Sequence, residues 1–309
     1  MTESIAVIDI GTNSIKFCIA DYSNEMISIR ADAAYATRLG ENVPKSGTIS
    51  PAAMSRNLNK IRELCDHANQ VGVSRTIATG TMVFRHATNA RTFIQNVESQ
   101  CGINIRVLSG DDEARLSYLA AVSSINDISG NIIVLDTGGG STELTFGIDQ
   151  NSIKSMSFDI GAVTLTETFC KHDPVLHHEI EHMFNQINKK MNLHEKTVSD
   201  KNLIGSCGAI TTMAAVKHQI ADYDPDLIHA SILTRQDVLD QINLFASNTV
   251  SQRKKIPGIQ KGREDIVLAG ACIVKCIMSQ LQCTQLVVCE RGLRYGIIYD
   301  FFNAKHFER

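Results

Sequence analysis

A chain of 309 residues, 43% hydrophobic and 20% charged, carries enough apolar material for two domains of ordinary size and needs no covalent or metal staples. Its net charge of −3 gives no global basic field, which argues against DNA, RNA and membrane surfaces as partners and leaves any phosphate recognition to local features. The nine cysteines, scattered from Cys18 to Cys289 with no Cys-x-x-Cys pair, suit free thiols in a reducing cytoplasm, so a cytoplasmic location is expected.

The opening MTESIAVIDIGTNS carries acid early and only a short apolar run, so no signal peptide is expected. Residues 5–8 and 15–22 read as two strands around the turn Asp9-Ile-Gly-Thr-Asn-Ser14. A polar stretch with Gly40, Pro44 and Gly47 follows. Ser50-Pro51 then opens a helix to about 69, a hydroxyl cap with proline at the first helical position. Residues 75–79 read as strand, 89–100 as helix and 103–108 as strand. Ser109-Gly-Asp-Asp-Glu113 opens a helix to about 123. The polar turn at 126–131 is taken as a boundary between domains 1–126 and 127–309. Beyond it, 132–135 and 142–146 read as strands around Asp136-Thr-Gly-Gly-Gly-Ser141. Helices are expected at 174–192, 209–219, 235–246, 264–280 and 291–302, with strands at 201–205 and 285–289. The longest apolar run, 266–278, contains Lys275 and falls short of the roughly 18 residues that a membrane span needs. Mixed strands and helices in two halves predict an α/β fold of two domains.

The two turns form a weak internal repeat, because aligning Asp9 with Asp136 also aligns Gly11 with Gly138 and Ser14 with Ser141. In each, an aspartate ends a strand, glycine follows and a hydroxyl residue begins the return strand. Glycine allows close backbone approach, and successive N–H groups can gather phosphate oxygens in one concavity. The aspartates would repel phosphate unless a cation lay between them; magnesium accepts carboxylate, water and phosphate oxygens together. The hydroxyls of Thr12, Ser14 and Ser141 can donate to phosphate. A lone Asp-x-Gly turn is usually a plain hairpin. Two matching turns, the second with the run Gly138-Gly139-Gly140, favour the phosphate reading and suggest a cleft between domains.

Ser109 to Arg115 places three carboxylates in a helix's first turn. Capping and dipole complementation explain such a pattern. The functional alternative is that one carboxylate orients and activates water, which phosphoanhydride hydrolysis requires.

Several segments together resemble the exopolyphosphatase/guanosine pentaphosphate phosphohydrolase family. They are IAVIDIGTNSIKFCIADY at 5–22, ATGTMVFRHATNA at 78–90, VLSGDDEARLSYLAA at 107–121, VLDTGGGSTELTFG at 134–147, IGAVTLTE at 160–167, GSCGAITTMAAV at 205–216, REDIVLAGACIV at 263–274 and ERGLRYGIIYD at 290–300. The resemblance implies a two-domain, actin-like, ribonuclease-H-like ATPase-superfamily fold with an interdomain cleft. It implies hydrolysis of a terminal phosphate from inorganic polyphosphate or guanosine pentaphosphate, with magnesium as cofactor and a homodimer as the expected form. By motif position, Glu113 matches the catalytic base. Asp136 and Glu143 match acids of the magnesium and water site, with Asp9 as a further metal residue. Thr12, Asn13 and Ser14 match the first phosphate loop, and Gly138, Gly139, Gly140 and Ser141 the second. Arg85 matches an arginine position suited to gripping phosphates bidentately. Asp112, Thr137 and Cys289-Glu290 depart from the family's usual glutamate, isoleucine and Ser-Asp. Longer members carry a further helical domain that helps to hold long polymer. Two other functions share these loops: an actin-fold small-molecule kinase, and a non-catalytic sensor of (p)ppGpp.

Four further features admit more than one reading. His178-Glu-Ile-Glu-His182 matches the zincin pattern, but Ile180, Met183, Phe184, Ile187 and Met191 define the apolar stripe and put both histidines on the solvent face. Cys272 and Cys276 read as core thiols. Arg253, Lys254, Lys255 and Lys261 read as a solvated loop or as a basic lip for polyphosphate. Gly205-Ser-Cys-Gly208 reads equally as a plain turn or as a phosphate site at a helix N-terminus.

Overall fold

The computed structural model describes residues 2–125, 128–149, 151–193 and 201–302. The chain divides into two compact units. One comprises residues up to Ser124 together with the chain from Leu293, and the other is Ile125–Gly292. Residues 126 and 127, within the turn read as a boundary, lie outside the described residues.

The first unit starts with three strands, β1 (Glu3–Ile10), β2 (Ile15–Ser23) and β3 (Met26–Tyr35). Helices α1 (Val43–Ser46) and α2 (Pro51–Gln70) lead to β4 (Arg75–Gly80). Then come α3 (Met82–His86), α4 (Ala90–Cys101), β5 (Ile105–Val107) and α5 (Gly110–Ser124). The sheet order is β3-β2-β1-β4-β5. β1 pairs antiparallel with β2 and parallel with β4. It is central and covered on both faces, which is why it reads as a continuous apolar run. Its side chains alternate: Ala6, Ile8 and Ile10 join the core beneath α2 and α4, while Ile5 and Val7 join a second core with Leu108 and Leu116. Ser50 caps α2 by accepting from the Ala53 N–H, with Pro51 at the first position, as the sequence predicts.

The second unit repeats the plan. β6 (Asn131–Thr137), β7 (Thr142–Ile148) and β8 (Asn151–Phe158) precede α6 (Ala162–Phe169) and α7 (His177–Lys190). β9 (Lys201–Gly205), α8 (Gly208–Lys217), α9 (Pro225–Ile228), β10 (Ile232–Thr234), α10 (Arg235–Ala246), α11 (Val250–Arg253), α12 (Val267–Gln280) and β11 (Gln285–Val288) follow. The order is β10-β11-β9-β6-β7-β8. Removing the edge strand β10 leaves β8-β7-β6-β9-β11, strand for strand the order of the first unit, with the same antiparallel and parallel pairings. Even the register irregularity recurs: it falls at Ile19/Ala20 in one unit and at Phe146/Gly147 in the other. The offset of 127 residues that relates the two loops therefore continues along the return strands. Three antiparallel strands followed by two parallel ones, duplicated, make the ribonuclease-H-like architecture expected of this chain. Helix α12 is apolar almost all round and is buried among α6, α7, α8 and α10.

The last helix corrects the sequence-based division. α13 (Leu293–Phe302), assigned above to domain 127–309, belongs to the first unit. Leu293, Ile297, Ile298 and Tyr299 complete the core that holds Ile5 and Val7. Arg294 grips Asp32 of β3 bidentately, at 2.8 Å for each bond, and the Tyr295 hydroxyl donates to the same carboxylate at 2.6 Å. Gly296 lies so close to the Leu116 backbone of α5 that a Cβ would collide with its carbonyl. Among the described residues no helix is long and apolar enough to cross a membrane.

Candidate active site

Both loops close in the same way. The Gly11 N–H donates to the Ser14 carbonyl at 3.0 Å, and the Gly138 N–H to the Ser141 carbonyl at 2.8 Å. No residue of either loop has positive φ, so their glycines serve close approach rather than left-handed backbone. Three carbonyls of each loop, those of Thr12, Asn13 and Ser14 and of Gly138, Gly139 and Ser141, are bound within the protein. In the first unit the Arg38 N–H donates to the Asn13 carbonyl and the Gly40 N–H to that of Thr12, each at 2.8 Å. In the second, the N-terminus of α6 serves: Ala162 donates to Gly138 at 3.0 Å, and Val163 and Thr164 donate to Gly139 at 2.8 and 3.1 Å. Gly161 lies directly against the Gly139–Gly140 peptide, and any Cβ there would strike it. Among the described residues, the N–H groups of Thr12, Asn13 and Ser14, and of Gly139, Gly140 and Ser141, have no acceptor. Three successive unused donors in a turn are the kind of arrangement that suits an anion.

The carboxylates stand beside these loops. Asp9 pairs across β1 and β2 with Lys16, whereas Asp136 pairs across β6 and β7 with Glu143. The two pairs occupy equivalent places in the repeat, yet one combines opposite charges and the other like charges. Asp136 is 8% and Glu143 2% exposed, and Ser157 donates to the Glu143 Oε1 at 2.9 Å. Like charges directly opposite on neighbouring strands repel, and an added cation would offset that cost. The donor chemistry fits magnesium, which takes one or two carboxylates and completes its shell with water and substrate oxygens. Among the described residues no group of three or more His, Cys, Asp or Glu converges as a metal cage. Cys207 lies near Asp136; burial, then the Asp136 charge, push its thiol up to about 11, so it stays protonated at neutral pH.

In the first unit, Glu113 occupies the first turn of α5 and is 8% exposed. Arg85 of α3 reaches it: Nη1 donates to Glu113 Oε2 at 3.0 Å and to the Leu108 carbonyl at 2.9 Å. The arginine read from the sequence as a phosphate grip is thus engaged with the candidate base, a pairing that 28 residues of separation concealed. Asp112 behaves differently. Ser109 caps α5 by accepting from the Asp112 N–H, and its hydroxyl donates to the Asp112 carboxylate, each at 3.0 Å. Capping by Ser109 and pairing with Arg85 thus engage different members of the acidic cluster.

Glu179 is the buried cap of α7, accepting from Leu176 and Lys171 amides, while His178 and His182 are exposed and stack edge to face on each other. Cys272 and Cys276 are core thiols raised by burial. Arg253 does not form part of a basic lip. It is 1% exposed and donates to the Phe245 and Glu264 carbonyls, so only the lysines of that stretch face solvent. Cys207 caps α8 through its sulfur, and the Arg263 guanidinium packs on Gly208.

A duplicated ribonuclease-H-like core with two donor-lined loops and flanking carboxylates defines a phosphate-handling protein. The profile of the Ppx/GppA phosphatase family matches residues 18–305, and the chain belongs to that family. It is 32% identical to the bifunctional 3-dehydroquinate synthase/phosphatase of Fusobacterium nucleatum over 97% of this chain, but spans only 47% of that protein's length. It is 29% identical to exopolyphosphatase 2 of Mycobacterium tuberculosis, covering 95% of this chain and 97% of the other. Among solved structures, the Aquifex aeolicus Ppx/GppA family member superposes with a TM-score of 0.83 at 28% identity, covering 100% of both chains.

Proposed function

We propose that this chain is a magnesium-dependent phosphoanhydride hydrolase that removes the terminal phosphate of polyphosphate or of guanosine pentaphosphate. The observation that carries this reading is the pair of loops in which three carbonyls of each are bound within the protein while three successive N–H groups of each have no acceptor. Such loops suit chains of phosphate oxygens. The hydroxyls of Thr12, Ser14 and Ser141 and the Asn13 amide add donors. Glu113 is the general base: it takes a proton from water as the water oxygen attacks the terminal phosphorus, and the bridging P–O bond breaks with its electrons leaving on the shortened chain. Arg85 holds that carboxylate in place through the 3.0 Å bond. Asp136 and Glu143 would hold magnesium, which when bound would neutralise phosphate charge; Asp9 is the equivalent acid of the first unit's loop. The exopolyphosphatase name of the Mycobacterium relative supports a polyphosphate-type substrate.

The test is orthophosphate release from short polyphosphate, long polyphosphate, pppGpp and ATP, with and without magnesium. Glu113→Gln should lower turnover on the order of 10²- to 10⁴-fold, the usual worth of a general base, while circular dichroism shows an intact fold. Retained turnover in that variant would remove Glu113 from the role. Transfer to an acceptor other than water would indicate a kinase, and tight nucleotide binding without release a sensor.

A further inference from the structure

The first phosphate loop is held by a segment outside any motif singled out in the sequence. Arg38 and Gly40 donate to the carbonyls of Asn13 and Thr12. A peptide unit is planar and trans, so fixing a carbonyl fixes the next residue's N–H in the opposite direction. Binding the Thr12 carbonyl therefore aims the Asn13 N–H, and binding the Asn13 carbonyl aims the Ser14 N–H. In the second unit the N-terminus of α6 does the same to the Gly139 and Gly140 N–H groups. The first unit has no helix there and uses residues 37–40 as a strap. The strap is not regular structure: Arg38 adopts φ 50°, a left-handed conformation that non-glycine residues hold only when their surroundings impose it.

Those surroundings come from two consecutive residues of α2. Asn57, 0% exposed, donates from one Nδ2 to the Thr37 carbonyl at 3.1 Å and to the Ala53 carbonyl at 2.8 Å. Arg56 donates from Nε to the Thr37 carbonyl at 2.6 Å and from Nη2 to the Arg38 carbonyl at 3.1 Å, and pairs with Glu41 at 2.9 Å. A buried amide and a forked guanidinium thus converge on two successive peptide groups, whose continuation bonds the phosphate loop. Gly40 completes the fit, since a Cβ there would collide with the Thr12 side chain.

We infer that Arg56 and Asn57 are positioning residues for the phosphate substrate: they set the strap 37–40, which aims the N–H groups of the first phosphate loop. Neither touches substrate. The inference rests on the reading of that loop as a phosphate site, and the experiment separates the two. Arg56→Ala is the main variant, because the side chain is 40% exposed and its loss leaves the core intact. Asn57→Ala is the second. Arg62→Ala is the control: its guanidinium lies on the same helix and bonds Asn59 and Gln100 instead.

Two readouts are taken on the full chain with magnesium: steady-state orthophosphate release from tripolyphosphate, and amide hydrogen exchange. In Arg56→Ala and Asn57→Ala, exchange should rise at Gly11, Arg38 and Gly40, whose N–H groups bond the loop carbonyls, while β1 and β4 stay protected. KM should rise so that kcat/KM falls on the order of 10- to 100-fold, as for other outer-shell partners. Arg62→Ala should match the wild type in both. Unchanged exchange at Gly11, Arg38 and Gly40 in both strap variants, or an equal loss in Arg62→Ala, would overturn the inference. If the wild type releases no orthophosphate from any substrate, the functional reading fails instead, and exchange alone decides the strap.

Discussion

At the scale of single residues, the same position in the two repeats carries opposite chemistry. Lys16 faces Asp9, and Glu143 faces Asp136. A lysine sits opposite the first aspartate, whereas a second carboxylate sits opposite the other. Glu113 shows how one residue in an acidic cluster is set apart: Asp112 is occupied by its cap, while Glu113 is buried against Arg85. Glu179 is a different case, a carboxylate used for structure. Burial raises its pKa, but hydrogen bonds from His172 and the Leu176 and Lys171 amides outweigh burial and lower it from 4.5 to about 2. A depressed carboxylate stabilises the fold fully above its unfolded pKa and loses that contribution as pH falls through the folded value. The relevant window therefore runs from 4.5 down to about 2. Glu179→Gln should cost stability at pH 6, and the gap from wild type should close across that window; urea titrations at stepped pH measure it. A gap independent of pH would mean that the carboxylate's charge is irrelevant to the cap.

At the scale of elements, the second loop depends on α6, and Gly161 is the point of closest approach. Gly161→Ala must push α6 away from Gly139 and Gly140, so stability should fall by about 1–3 kcal/mol, the range for forced overpacking. Chemical denaturation measures this, and a neutral result would show that the loop yields. The elements also show what the sequence could and could not reveal. Strands β1 and β6 were legible as central apolar runs, and β2 and β7 as the return strands after each glycine-bearing turn. β3 and β8 were not: both are edge strands, where residues 27–33 alternate but with small Ala in place of large apolar residues at two of four apolar positions, and NSIKSMSF breaks its alternation. The two loops were visible because a glycine run is more than a hairpin needs, and the acids because they lie beside those loops or in a recognisable segment. Arg85's attachment to Glu113, Ser157's to Glu143 and the strap's to the first loop were invisible, since each joins residues distant in sequence through contacts that local patterns do not encode. The helix α6, so short, left no periodic signal, although it pins the second loop.

At the scale of the whole molecule, the second unit is inserted between α5 and α13 of the first. Two helices that close one core are separated in sequence by the other unit. Gly296→Ala should therefore act on the first unit, pushing α13 off α5; a loss of about 1–3 kcal/mol is expected. Hydrogen exchange should place the loss in β1, β2 and α5 rather than in β6 and β7. An even loss across both sheets would show that the two units unfold together. The position of α13 also has a consequence for how the protein is made. When α5 has left the ribosome, 168 further residues, Ile125–Gly292, must be synthesised before the helix that completes its core exists. At a rate of about 10 residues per second that is a delay of roughly 17 s. During it, the nascent N-terminal sheet presents Ile5, Val7 and Leu116 without their lid, and the unit that begins second is the one that can finish first.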